Sequence, residues 1–167
     1  MVPTLQIVGY KKSGKTQTIN DLLVVAAQFK KAAVVLKHDI HGAQMDRPGT
    51  DTAAFTAHGA KMTVLVSGSD LFIHQKRSTR LLKLSELLGN LPPHDLQVLE
   101  GFKAADYPKL VLLRSGETLE NLPPLTHVIA AASLTSPSAT DVLDFSGSKQ
   151  RQEWFATYFR EELKWKN

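Results

Sequence analysis

Short apolar runs alternate with amphipathic stretches along this chain, and that alternation predicts strands and helices in turn. Residues 5–8 read as a strand, residues 15–29 as a helix and residues 32–37 as a second strand, together the length of a βαβ unit. A polar stretch rich in turn formers, "HDIHGAQMDRPGTD", leads to a short helix at residues 52–58 that Gly59 closes. "KMTVLVS" (61–67) and "DLFIHQ" (70–75) are separated only by "GS" and read as a hairpin or strand pair. "STRLLKLSELLGN" opens with a capping hydroxyl and stops at Gly89, which predicts a helix. Residues 95–101, 109–114 and 127–132 are three further strands. The closing "KQRQEWFATYFREEL" is an amphipathic helix whose Trp154, Phe155, Tyr158 and Phe159 are expected to pack on the sheet.

Strands alternating with helices through short loops imply an α/β fold, a mainly parallel sheet flanked by helices. A length of 167 residues fits one domain, taken here as 1–167. Apolar content of 43% and charged content of 22% are those of an ordinary folded chain. The absence of cysteine excludes disulfides, thiolate metal sites and cysteine nucleophiles, and fits a cytoplasmic location. The longest apolar runs, such as "LLVVAA", fall far short of the roughly 20 residues that span a bilayer, so no membrane association is expected. A net charge of +4 favours anionic partners without choosing among them. "HQKRSTR" (74–80) lacks interleaved aromatics and reads as a solvated face, so nucleic acid is not an expected partner.

The chemistry concentrates in "GYKKSGKT" (9–16), which satisfies GxxxxGKS/T between a predicted strand and a predicted helix. This makes the fold P-loop NTPase-like. Gly9 and Gly14 allow backbone conformations closed to other residues, so amides from Lys12, Ser13, Gly14, Lys15, Thr16 and the adjoining Gln17 can converge on phosphate oxygens. The following helix adds the positive end of its dipole. Lys15 is the phosphate cation and the Thr16 hydroxyl a ligand for Mg²⁺. Such a site needs a strand-end acid for the metal shell, and Glu100 is the candidate, with Asp39 as a competing or additional one. Gln97 is out of place in a buried strand. His38 and His41 flank Asp39, but no other histidine has ligand spacing, so the loop reads as one that orders around nucleotide or a second substrate. No side chain stands out as a catalytic base or arginine finger, so no catalytic residue is assigned.

Several blocks taken together resemble the family of molybdopterin-guanine dinucleotide biosynthesis accessory protein B. They are "GYKKSGKT", "KHDIHG" (37–42), "DRPGTD" (46–51), "EGFK" (100–103) and "PKLVLLR" (108–114), in the family's order over about the first two thirds of the chain. The resemblance implies a protein that binds GTP with Mg²⁺, hydrolyses it weakly, and assists a guanylyltransferase that attaches GMP to molybdopterin. It also implies a homodimer, a phosphate site at 9–16 with Glu100 as the strand-end acid, and loops carrying His38, Asp39, His41, Asp46 and Asp51 around the nucleotide or partner. Thr50 departs from the lysine common in its block, and the tail after "HVIAAA" matches only loosely. The NKxD base-reading motif is absent, so guanine rests on the resemblance, with "SLTSPS" (133–138) as a candidate base contact. Two other readings compete: a stand-alone phosphotransferase acting on a small metabolite, and an interaction module whose glycine loop binds nothing.

Overall fold

The computed structural model describes residues 2–39, 46–75, 83–135, 137 and 139–166. In chain order the elements are β1 (Thr4–Gly9), α1 (Lys15–Gln28), β2 (Ala33–Lys37), α2 (Asp51–Ala57), β3 (Met62–Ser67), β4 (Asp70–Gln75), α3 (Leu84–Gly89), β5 (Leu96–Glu100), β6 (Lys109–Leu113), β7 (Val128–Ser133), β8 (Val142–Asp144) and α4 (Ser148–Glu161), with a 3-10 turn at Leu119–Asn121. The sequence predicts all of these except β8 and the 3-10 turn. The capping hydroxyl expected for α3, Ser78, lies outside the described residues. Where the sequence reads as one domain, the structure divides into two compact units, Met1–His38 with Leu91–Asn167, and Asp39–Asn90.

The first unit is a six-stranded sheet in the order β2-β5-β1-β6-β7-β8, parallel throughout. Its central strands β5 and β6 are buried along their whole length, as a parallel sheet requires of runs such as "KLVLL". Side chains alternate across the sheet. Leu5, Ile7, Val98, Leu110 and Leu112 form one face, which packs on Ile19, Leu22, Val25 and Phe29 of α1 and its cap, and on Phe155 and Phe159 of α4. Their spacing of three and four residues is what puts them on one side of each helix. Val8, Val111, Leu113 and Ala131 point the other way, onto Leu122 and Leu125 of an irregular segment. Both long helices therefore flank a single face. Trp154 and Tyr158 sit at the margin of that core, stacked on each other at 5.4 Å and 8°.

α1 ends in a Schellman arrangement: Lys30 N–H donates to Ala27 O and Lys31 N–H to Ala26 O, with Lys30 in the left-handed region at φ 55°. Gln97 is explained by a partner the local pattern cannot reveal, since its Oε1 accepts a hydrogen bond from Thr4 Oγ at 2.8 Å across the β1–β5 pair. A buried amide with a partner is tolerated where an orphan is not.

The second unit contains α2, α3 and the antiparallel β3–β4 hairpin. Thr50 caps α2, accepting from Ala53 N–H at 3.4 Å. The lysine that the resemblance leads one to expect there could not supply this cap. Asp46 accepts hydrogen bonds from Thr52 Oγ at 3.0 Å and pairs with His74 Nδ1 at 2.7 Å.

Candidate phosphate-binding site at the carboxyl end of β1

β1 ends at Gly9 and α1 begins at Lys15, so the turn between them lies at the carboxyl edge of the parallel sheet, where ligands of open α/β sheets bind. Gly9 (φ 155°) has no room for a side chain: a Cβ there would sit 2.4 Å from Ser13 Oγ and 2.5 Å from the Leu112 carbonyl oxygen. Gly14, at φ 90°, is the N-cap of α1, and a Cβ on it would run into Leu134 at 2.2 Å. Lys12 also takes the left-handed region at φ 66°, and Ser13 N–H donates back to Tyr10 O at 3.3 Å. These dihedrals curl the chain upon itself.

Because its N-cap is a glycine, α1 has no side-chain cap, and no acid occupies its first turn. The first-turn amides and the positive end of the helix dipole are thus uncompensated by the protein's own carboxylates. The Lys15 ammonium donates to Tyr10 O at 2.8 Å and to Gly9 O at 3.3 Å. Burial lowers its pKa from the ordinary 10.5; the Glu100 carboxylate opposes that shift, and the Lys103 and Lys37 ammoniums reinforce it. The Ser13 hydroxyl is buried with no hydrogen-bond partner among the described residues. Thr16 and Gln17 are exposed on the first turn of α1.

Glu100 ends β5, and the register pairs it with Ile7, two residues before Gly9. Its carboxylate is buried and lies 3.3 Å from the Lys37 ammonium. The strand-end acid and the turn are thus carried by adjacent strands. Asp39 is exposed, follows β2 by two residues, and belongs to the second unit. His38 stays with the sheet: its N–H donates to Glu100 O at 3.0 Å and its ring lies 5.0 Å from that of Phe102. His41 lies outside the described residues, and among the described residues no three acidic or histidine side chains cluster to hold a metal.

Three residues near the turn escape local sequence reading. Tyr10 donates its hydroxyl to Asn121 O at 2.7 Å, and its ring carries Lys103 Nζ at 4.4 Å and the Arg114 guanidinium at 5.2 Å. Arg114 in turn binds Glu117, whose Oε1 accepts from its Nε at 2.7 Å. Lys103 is within the quoted "EGFK" block, but nothing in its spacing shows that it meets Tyr10. Ser133 and Thr135, whose hydroxyls lie 3.0 Å apart, line a cavity of about 260 Å³ with Arg114, Glu117 and Val142. Part of the candidate base-contact loop therefore lines a recess that shares Arg114 with the Tyr10 contact, while Ser136 and Ser138 are outside the described residues.

A family model described as molybdopterin guanine dinucleotide synthesis protein B matches residues 4–134. A probable molybdopterin-guanine dinucleotide biosynthesis adapter protein from Bacillus subtilis is 37% identical over 122 residues, 72% of this chain and 70% of that protein. The adapter protein of the same description from Escherichia coli is 29% identical over 138 residues, 80% of this chain and 79% of its own. Among solved structures, Bacillus subtilis MobB superposes with a TM-score of 0.72 at 29% identity, covering 92% of this chain and 96% of that one. A MobB homologue from Bacillus stearothermophilus gives 0.69 at 26% identity over 94% and 97%. The P-loop NTPase-like α/β fold expected from the sequence is the fold found.

Proposed function

Because the chain belongs to the molybdopterin guanine dinucleotide synthesis protein B family, we propose that it is a GTP-binding adapter of molybdenum cofactor biosynthesis that presents Mg²⁺-GTP to a guanylyltransferase. The observation that carries this reading is the β1–β5 register, which sets a buried carboxylate beside a turn of uncapped amides. Amides of residues 12–17 would bind the phosphates and Lys15 would neutralise them, while Thr16 and Glu100 would supply oxygen ligands of the kind Mg²⁺ takes. The ion adds charge neutralisation between the phosphates when bound.

Hydrolysis by the isolated chain is slow in this reading, since among the described residues no water-positioning base stands out and Arg114, the arginine nearest the turn, is paired with Glu117. Turnover of purified protein at the rate of an ordinary phosphotransferase, in the absence of any partner, would count against it. Calorimetric titration with GTP, GDP, ATP and molybdopterin, with and without Mg²⁺, tests the ligand directly. GTP should bind more tightly with Mg²⁺ than without it, and Glu100→Ala should remove most of that difference. Equal affinity for GTP in both buffers would refute the metal assignment, and absence of any nucleotide binding would leave the interaction-module alternative standing.

A second copy of the chain is the further partner, and the hairpin is the surface that supports it. Val64, Leu65, Val66, Leu71, Phe72 and Ile73 are exposed on both faces of β3–β4. A two-stranded ribbon is marginal alone, and its unpaired edges are templates for further pairing. Paired Val66→Lys and Phe72→Lys substitutions are expected to turn a dimer into a monomer in sedimentation velocity without loss of nucleotide binding. A dimer that survives both charges would assign the interface elsewhere.

A further inference from the structure

We propose that Lys103 is a second phosphate-binding ammonium of the nucleotide site, aimed there by a clamp built on the buried Gln6; this inference rests on the nucleotide reading above. β5 ends at Glu100, and the chain must reverse to reach β6. It does so through two consecutive left-handed residues, Gly101 at φ 88° and Phe102 at φ 51°. The second is an unfavourable conformation for a side-chain-bearing residue and persists only where neighbours impose it.

Those neighbours come from β1 and the end of β2. Gln6 of β1 is wholly buried, and its Nε2 donates to Gly101 O at 2.7 Å and to Phe102 O at 2.6 Å. Gly101 N–H donates to Ile7 O at 3.0 Å. From the end of β2, the His38 ring packs on Phe102. A buried amide inside a strand is a costly way to hold a turn unless the turn has a task.

What the turn delivers is Lys103. Its Nζ lies 4.4 Å from the centre of the Tyr10 ring, while Lys15 Nζ donates to the carbonyl oxygen of the same Tyr10. Two ammoniums therefore meet on one residue of the phosphate turn, close enough that the Lys103 charge bears on Lys15. The nearby acids are engaged elsewhere, Glu100 with Lys37 and Glu117 with Arg114. Lys103 has no ion pair of its own among the described residues. Glu100 and Glu117 reach Lys15 and Lys103 only at longer range, each being paired with another cation. Lys15, Lys37, Lys103 and Arg114 thus outnumber the two carboxylates among them, an excess that favours a polyanion. A triphosphate, reached by rotation of the flexible lysine stem off the Tyr10 face, supplies the missing countercharge.

The rival explanation is a cation–π strut that only props Tyr10. Lys103→Met keeps the apolar stem on the ring and removes the charge, so it separates the two. Titration with GTP and with inorganic tripolyphosphate should show affinity for both falling about tenfold in Lys103→Met, the size of one charge-assisted contact. The salt dependence should become shallower, and Lys103→Arg should stay within about threefold of the parent. Gln6→Leu, which keeps the charge and loosens the turn, should weaken binding while leaving the salt slope as in the parent. If Lys15→Ala abolishes binding but Lys103→Met binds both anions like the parent at every salt concentration, the inference is wrong and the nucleotide reading survives. Failure of the parent to bind either anion would sink both. Parent-like affinity in Gln6→Leu would overturn the clamp.

Discussion

Replacing Lys15 with alanine is expected to weaken Mg²⁺-GTP binding by about 2–5 kcal/mol, the usual loss when one partner of a desolvated charge contact is truncated. At 1.4 kcal/mol per factor of ten, that is a fall of roughly 30-fold to several thousand-fold. The geometry explains why no neighbour takes its place, Lys103 lying on the Tyr10 ring and not on the turn's carbonyls. Among the described residues, Lys15 is the only side chain that hydrogen-bonds the turn's own carbonyls, Gly9 O and Tyr10 O. Lys37 is committed to Glu100, and Lys11 and Lys12 are exposed. Because Lys15 is only half-buried, its removal should leave the fold intact, so the thermal midpoint without ligand should stay near that of the parent. Calorimetry and a melting curve on the same sample read both quantities. Retained affinity would mean that the phosphates do not sit on this turn.

The largest expected effect on stability is at Arg151. Its side chain is 2% exposed, inside the interface between α1 and α4, and its Nε donates to Asp21 Oδ2 at 2.6 Å. Its Nη1 donates to Phe145 O and Ser146 O, while Ser148 Oγ and Gln152 Nε2 complete the shell of Asp21 at 2.5 and 3.0 Å. Arg151→Leu leaves a buried carboxylate without its counter-ion, which costs about 3–5 kcal/mol. For a chain of this size the midpoint should fall by roughly 6–20 °C. Pairing it with Asp21→Leu removes the orphaned charge, so the double variant is expected to be more stable than Arg151→Leu alone. A double variant less stable than both singles would show that the hydrogen bonds, and not the charge, hold the helices together.

The same pair gives a pH signature. Desolvation pushes the Asp21 carboxyl up, but hydrogen bonds from Gln152, Ser148 and Arg151 and the Arg151 charge outweigh it, so the pKa falls below the ordinary 3.8. A depressed folded-state value contributes stability in full above 3.8, and that contribution is lost as pH falls through the folded value. The gap between parent and Asp21→Asn should therefore narrow in acid. A gap that widened below pH 3.8 would contradict the assignment.

Local features were legible in the sequence, and contacts across the chain were not. The turn from β1 into α1 is written in eight contiguous residues, 9–16, so its position is legible directly. β5 and β6 were legible because parallel strands buried on both faces are continuous apolar runs. β8 was not, since Val142–Asp144 is three residues long, follows turn formers, and exists by pairing with β7. The roles of Gln6 and Gln97 are not legible locally, because their partners lie more than 90 residues away. Asp21 and Arg151 are 130 residues apart. The placement of both long helices on one face of the sheet depends on connection geometry that periodicity does not encode.

The central claim concerns main-chain amides, so the most direct measurement follows them individually. Adding Mg²⁺-GTP to isotopically labelled protein should produce the largest amide chemical-shift changes at Lys12, Ser13, Gly14, Lys15 and Thr16, with a smaller response at Glu100 and Lys103. Saturable shifts elsewhere, with those five amides unmoved, would place the nucleotide on another surface and refute the account.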